Sequence, residues 1–332
     1  MIKKIICAAI IFAIICSACS CGAKKARTEY LFGYFDTVTA VTYFTNEPFG
    51  FDEIYTSVKE TLEKYHNLFD AYENHDGINN LKTVNDRAGE WVEVEQDIID
   101  LIDLGKRYYN LTAGETNVAM GAVTSLWKEA GKYGNLPDEL ALNEAWKHTD
   151  IENVLVDREN SSLKLSDSAM KLDVGAIAKG YVLNKIRQNL DDAGYTGWLI
   201  NFGGSVVASG EKPNGEPFVA GIENPRESSN ESIIEKVTVK DGVFLVTSGA
   251  YLRYYTINGK KYNHIIDKDT KLPAEHFLSV SVKCSDACLG DALSTALFCM
   301  SLEDGKKLLS EMNDISAMWV TDNEIYSYNW SK

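Results

Sequence analysis

The stretch from Met170 to Leu183, Met-Lys-Leu-Asp-Val-Gly-Ala-Ile-Ala-Lys-Gly-Tyr-Val-Leu, constrains this chain more than any other. A short apolar run ends at Asp173 and Gly175 marks a turn. Val174, Ile177, Ala178, Tyr181, Val182, Ile186 and Leu190 then recur at helical spacing up to Gly194. The pattern predicts a strand over Met170–Leu172 running into a helix. At the junction stand the Asp173 carboxylate, two glycines that let a ligand approach the backbone, the amides of a helix start, and the Lys179 cation. Those are the parts that an anionic, phosphate-bearing ligand needs. A plain strand-to-helix turn with a solvated lysine shows the same residues, so the stretch needs partners elsewhere.

A partner comes from the last long predicted helix, which runs to about Met300. Cys288, Asp291, Thr295 and Phe298 share one face of it, amid Ala287, Leu289, Ala292, Leu293, Ala296, Leu297 and Cys299. Asp291 and Thr295 are thus polar groups in apolar surroundings, and a buried carboxylate is costly unless a cation or hydrogen bonds compensate it. A carboxylate and a hydroxyl one turn apart are hard oxygen donors, better suited to Mg²⁺ than to Zn²⁺. A surface face or a side-chain cap is the plainer alternative.

Elsewhere the chemistry-bearing signals are sparse. In the segment Tyr262 to Asp267, alternation puts Tyr262, His264 and Ile266 on one face and Asn263, Ile265 and Asp267 on the other. A lone strand histidine is more often structural than catalytic, and His66, His75, His148 and His276 are read as structural. The chain holds no nucleophile elbow, P-loop, paired cysteines or HExxH, which disfavours the hydrolases and NTPases built on them.

The N-terminus reads as export machinery. Lys3 and Lys4 precede the apolar run Ile5 to Ile15, and Cys16-Ser-Ala-Cys-Ser-Cys-Gly22 follows. Small residues before a cysteine resemble a bacterial lipobox, with Cys19 as the lipidated residue and Cys21 as the other candidate. The expected organisation is a lipoprotein-type signal peptide over 1–18, a polar tether over 19–30 and one catalytic domain over 31–332. Cys7, Cys16, Cys19 and Cys21 fall to the leader. Cys284, Cys288 and Cys299 are then read as small buried residues rather than a metal site or disulfide framework, though a Cys284–Cys288 bridge stays open.

The formal charge of −15, with no basic run beyond the start and the Lys24, Lys25, Arg27 cluster, argues against a nucleic-acid partner. An anionic ligand must therefore be met locally. Helices are predicted over Phe51–Phe69, Glu95–Leu111, Ala119–Trp127 and Pro137–His148. From Val154 onward strand signals dominate, among them Trp198–Phe202 and Val206–Ser209 around Gly203-Gly204, and a hairpin turning at Asn258-Gly259. Mainly antiparallel signals with interspersed helices place the chain in the α+β class.

Taken together, these stretches resemble the ApbE family, the FAD:protein FMN transferases. Phe35-Asp36-Thr37-Val38, Leu172 to Tyr181, Asn201-Phe-Gly-Gly204, Thr247-Ser-Gly249, Arg253-Tyr254-Tyr255, His264-Ile-Ile-Asp267 and Asp291-Ala-Leu-Ser-Thr295 carry the likeness in order. The resemblance implies a T-fold-like two-layer α/β sandwich with a mainly antiparallel sheet. It also implies a lipid-anchored enzyme on the extracytoplasmic face of the cell membrane. Such an enzyme would use Mg²⁺ to cleave FAD, place FMN on a threonine of a membrane redox subunit of the Rnf or Nqr type, and release AMP.

By the same resemblance, Ala176 (main-chain oxygen), Asp291 and Thr295 would hold the metal, and Asp291, His264 and Lys179 would form the catalytic set. Contacts to FAD would come from Asp173, Lys179, Glu115, Thr116, Asn117, Ser248, Gly249, His264, Ile265 and Ile266. The chain departs from the family pattern at Asn117 and Asn184, where aspartate is usual, and at Lys268 and Lys271, where proline and glycine are usual. An FAD pyrophosphatase giving FMN and AMP, or a lipoprotein that only binds flavin, are the alternative readings.

Overall fold

The computed structural model describes residues 25–45, 49–226, 229–251 and 253–330; the predicted leader and Cys19 lie outside them. The first half of the chain carries β1 (Lys25–Tyr34), β2 (Thr37–Thr45), α1 (Phe49–Leu68), α2 (Leu81–Asp86), β3 (Val92–Glu93), α3 (Gln96–Leu111), α4 (Gly121–Tyr133), α5 (Glu139–Trp146), β4 (Val154–Asp157) and β5 (Ser162–Leu165). Then come α6 (Ala178–Asp192), β6 (Trp198–Phe202), β7 (Ser205–Ser209), β8 (Phe218–Glu223), β9 (Ile233–Val239) and β10 (Phe244–Gly249). The chain ends with β11 (Tyr254–Ile257), β12 (Lys260–Asn263), β13 (Ser279–Cys284), α7 (Ala287–Cys299), α8 (Leu302–Ser310), β14 (Ser316–Val320) and β15 (Ile325–Tyr328).

An eight-stranded antiparallel sheet in the order β1-β2-β6-β7-β10-β13-β14-β15 is the backbone of the fold, and the α+β expectation holds. Strand alternation sorts its two faces. Val207, Phe244 and Val246 point into a core shared with α1, α6 and α7, while Val206, Ala208 and Leu245 point the other way, under the β8–β9 ribbon. Helices on one face and a ribbon on the other explain why all five residues of β7 are buried. The last strands pack with α7 and α8 around Phe298, Trp319 and Val282. A smaller unit of α4, α5 and the β11–β12 hairpin closes around Trp127, Ile257 and Ile266.

Several expectations shift. Met170–Leu172 is no strand: it makes a single parallel bridge, Lys171 to Met120. The Asn85 side chain takes its ladder bonds instead, accepting from Leu172 N (2.7 Å) and donating to Leu172 O (3.0 Å). Residues 25–30, read as tether, belong to β1, because Lys25 to Leu31 pair in register with Thr45 to Thr39. The sheet therefore starts closer to the leader than composition indicates. Helix α2 was hidden by its brevity; Asn80 caps it by accepting from Thr83 N at 3.0 Å. Helix α8 and the β14–β15 edge hairpin follow Met300, beyond the last predicted element.

The two tight hairpins nearest the site differ in legibility. Asn258 and Gly259 both take positive φ between β11 and β12, as their sequence foretells. Phe35 and Asp36 do the same between β1 and β2, at φ 51° each, with Asp36 but no glycine to announce it. Gly203 explains the constraint there. A Cβ on it would lie 2.5 Å from Thr37 Oγ1, so the β6–β7 turn packs directly on the hairpin's end.

Candidate functional site

Helices α6 and α7 cross so closely that a Cβ at Gly180 would stand 2.1 Å from the Ala287 carbonyl oxygen. That approach brings Asp291, only 1% exposed, onto the first turn of α6. Its carboxylate accepts from Lys179 Nζ at 3.1 Å and 3.3 Å, and its Oδ2 accepts from Gly180 N at 3.0 Å. In a regular helix the Gly180 amide would reach Ala176, four residues back. Here it donates to Asp291 Oδ2, which joins the first turn of α6 to α7. The sequence read Gly180 as room for a ligand; its room is taken by α7.

The approach is held from both sides. Asn184, one of the departures from the family pattern, donates to Asp286 Oδ1 (2.8 Å) and accepts from Ala287 N (3.0 Å), while Asp286 caps α7 through Cys288 N and Leu289 N. Thr116, fully buried, donates to the Ala292 carbonyl at 2.7 Å and ties the α3–α4 loop to α7. One turn beyond Asp291, the hydroxyls of Ser248, Ser294 and Thr295 form a chain, at 2.8 Å between Ser248 and Ser294 and 3.5 Å between Ser248 and Thr295. Strand alternation explains why Ser248 faces α7: it shares a side of β10 with Val246.

Asp173 forms a second node. Its Oδ2 accepts from Tyr72 OH (2.9 Å) and Thr124 Oγ1 (2.8 Å), and its Oδ1 from Gly175 N (2.9 Å). Gly175 N is thus engaged, and the Ile177 and Ala178 amides bond to the Val174 carbonyl, so the helix start offers fewer free amides than its sequence promises. A cavity of about 170 Å³ opens beside Asp173, with Tyr72, Asn85, Thr124 and Lys171 in its wall. Lys128 Nζ lies 2.9 Å from the centre of the Tyr72 ring, and burial holds this ammonium below the ordinary lysine value against the pull of Asp36 and Asp173.

His264 keeps solvent contact at the rim yet is ringed by protein. That crowding, with Arg253 second, holds its imidazole below the ordinary histidine value, so it is neutral at pH 7. The Arg253 carbonyl lies 3.2 Å from its Nδ1, and the Arg253 guanidinium donates to the Phe35 carbonyl, fastening the β1–β2 hairpin to this loop. Lys179 and Asp173 act on His264 through charge alone, in opposite directions.

Of the residues read from sequence, Asp291, Lys179, Thr295 and Ser248 converge, while Ala176 stands in the turn just before α6 and Asp173 and His264 make separate contacts of their own. The others are placed as follows. Glu115 pairs with Lys268 at 3.3 Å, and burial raises its carboxyl while Lys268 opposes the rise. Asn117 turns inward, donating to Thr149 O and accepting from Ala119 N. Gly249 lies under the Tyr251 ring, and Ile265 and Ile266 have their side chains in the core. Cys284, Cys288 and Cys299 are free and buried, so the Cys284–Cys288 bridge is not formed. Of the histidines read as structural, His75 pairs with Asp70 and His148 with Asp167, a support that their flanking sequence does not show.

Sequence reasoning missed Tyr72 and Thr124, whose bonds to Asp173 span 101 and 49 residues of chain, and no local pattern marks either. Among the described residues no group of three His, Cys, Asp or Glu side chains could hold a metal, so a metal here depends on the hydroxyl and carbonyl donors. That set fits Mg²⁺ in kind: one carboxylate, one hydroxyl and one main-chain carbonyl are all hard oxygens, and waters or phosphates complete the octahedron. The buried Asp291 charge is met in this structure by the Lys179 ammonium.

The family model described as "ApbE family" matches residues 35–319. The FAD:protein FMN transferase of Klebsiella pneumoniae (strain 342) is 30% identical over 277 residues, covering 82% of this chain and 85% of that one. The FAD:protein FMN transferase of Treponema pallidum (strain Nichols) is 29% identical over 333 residues, covering 94% and 90%. Among solved structures, the ApbE protein of Thermotoga maritima superposes with a TM-score of 0.81 at 30% identity, over 92% of this chain and 97% of that one. The flavin transferase ApbE of Vibrio cholerae shares the fold, with a TM-score of 0.76 at 24% identity, over 92% and 97% of the two chains.

Proposed function

This chain belongs to the ApbE family, and from that premise we propose that it is an FAD:protein FMN transferase. The single observation that supports this most is the convergence of α6 and α7, which sets a buried carboxylate against a lysine and a helix-start amide. In the reaction, a threonine hydroxyl oxygen of the acceptor attacks the phosphorus of the FMN half of FAD. The pyrophosphate P–O bond breaks, AMP leaves, and the hydroxyl proton is released.

Phosphoryl transfer asks a protein mainly for positioning and charge neutralisation. Lys179 supplies a cation for the diphosphate, Asp173 is locked in one orientation by Tyr72, Thr124 and Gly175, and neutral His264 offers a hydrogen bond at the rim. Asp291, Thr295 and the Ala176 carbonyl would hold Mg²⁺, which when bound neutralises diphosphate charge. The acceptor is a threonine-bearing subunit of a membrane redox complex of the Rnf or Nqr type. The enzyme stands at the extracytoplasmic face of the membrane, lipid-anchored at Cys19. Among the described residues no helix is long and apolar enough to cross a membrane.

Incubating the purified protein with FAD, Mg²⁺ and a candidate acceptor domain tests the reading. Flavin covalently bound to the acceptor is the expected product. Free FMN would make the chain an FAD pyrophosphatase, and unchanged FAD a flavin-binding lipoprotein. Asp291→Ala is expected to abolish transfer while far-UV circular dichroism stays unchanged; full activity in that variant would refute the metal site.

A further inference from the structure

Lys179 holds a place that two cations cannot share. Its ammonium lies on both oxygens of Asp291, whose side chain is 2% exposed, while its own side chain keeps 19% exposure toward the cleft. The other donor to that carboxylate, Gly180 N–H, is fixed by the backbone and cannot leave. Lys179 is the movable partner. It stands in the first turn of α6, on a flexible four-carbon stem.

We propose that Lys179 is a tethered counter-ion, which occupies the metal position at Asp291 in the ligand-free protein and yields it when a diphosphate arrives to receive the ammonium. The proposal rests on the metal site described above and adds a coupling to it. A divalent ion entering alone must displace an ammonium that then has no anion to receive it. With a diphosphate in the cleft, the ammonium moves to the phosphate oxygens and the carboxylate is freed. Metal and dinucleotide therefore bind cooperatively, and by linkage each tightens the other equally. The same arrangement keeps the buried Asp291 charge neutralised between turnovers, which an empty metal site would not.

Titrating the intact protein with Mn²⁺, with the free ion counted by electron paramagnetic resonance, reads this without any turnover. Lys179→Met is expected to bind Mn²⁺ about tenfold more tightly than the wild type in the absence of nucleotide, because no ammonium competes. Lys179→Arg is expected to bind it more weakly, since a guanidinium grips a carboxylate through two parallel bonds and does not let go as readily. Should Lys179→Met fail to fold in chelator, Lys179→Arg still carries the test. Both variants within twofold of wild type, with Asp291→Ala having lost Mn²⁺ binding, would overturn the exchange and leave the metal site standing. If Asp291→Ala binds Mn²⁺ like the wild type, the metal site itself is wrong and the exchange falls with it.

Discussion

Gly180→Ala tests the geometry on which the site depends. The added methyl would lie 2.1 Å from Ala287 O, 2.5 Å from Ala287 C and 2.7 Å from Cys288 Cα, all backbone atoms of α7 that cannot rotate away. Restoring ordinary contact at about 3.4 Å requires the two helices to part by roughly 1.3 Å. Overpacking of this kind costs about 1–3 kcal/mol. Stretching the Gly180–Asp291 hydrogen bond to a charged acceptor costs up to about 1.5–3 kcal/mol more, and alanine's better helix propensity returns about 1 kcal/mol. The net expectation is about 3 kcal/mol of destabilisation, read as a lower urea midpoint. A shift above 1 Å at a catalytic carboxylate costs about 100-fold in rate, so FMN transfer should fall by that order in the folded fraction. Gly134→Ala serves as the control: Gly134 has φ +76° with nothing near its Cβ position, so it should cost about 1 kcal/mol and leave transfer intact. A Gly180→Ala protein with wild-type midpoint and wild-type rate would show that α6 and α7 do not meet as described.

Lys271 takes φ +61°, a backbone region that glycine adopts without strain, and Lys271→Gly should raise the unfolding free energy read from urea denaturation by about 0.5–1 kcal/mol; a fall would show that its cation over the Trp146 ring matters more. Asp97 joins α3 to α1 through Lys64 (2.7 Å) and to α6 through Tyr181 (2.9 Å) and Lys185 (3.1 Å). Burial works against its charge, and these partners outweigh it, holding the carboxyl down to about 2. Because the folded value lies below the unfolded one, this stabilisation is complete above about pH 4 and is lost as pH falls toward 2. It amounts to at most about 2 kcal/mol after solvent screening. Asp97→Asn should flatten acid unfolding in that window, and an unchanged profile would discount the cluster.

Residues whose chemistry is local were legible in the sequence. The amphipathic spacing of Ile54, Val58 and Leu62 gave α1, Asn258-Gly259 gave the β11–β12 hairpin, and the apolar setting of Asp291 announced its burial. The Phe35-Asp36 turn was less so, because a phenylalanine takes one of its two positive φ values and no glycine marks the pair. The missing Met170–Leu172 strand was not, since Asn85 replaces the ladder from far away in the chain. Gly180 shows how a correct residue can receive the wrong partner. Its lack of a side chain was plain, but only the packing shows that α7 fills the space. Tyr72 and Thr124 reach Asp173 through the fold alone, which is why no reading of neighbours could find them.

The bond from Thr116 to Ala292 joins the first half of the molecule to its last long helix. While α7 has not yet docked, Asp291 has no lysine, no glycine amide and no hydroxyl chain around it. Immature or clipped copies would consequently be silent toward flavin, and the onset of flavin chemistry would itself report that folding had finished.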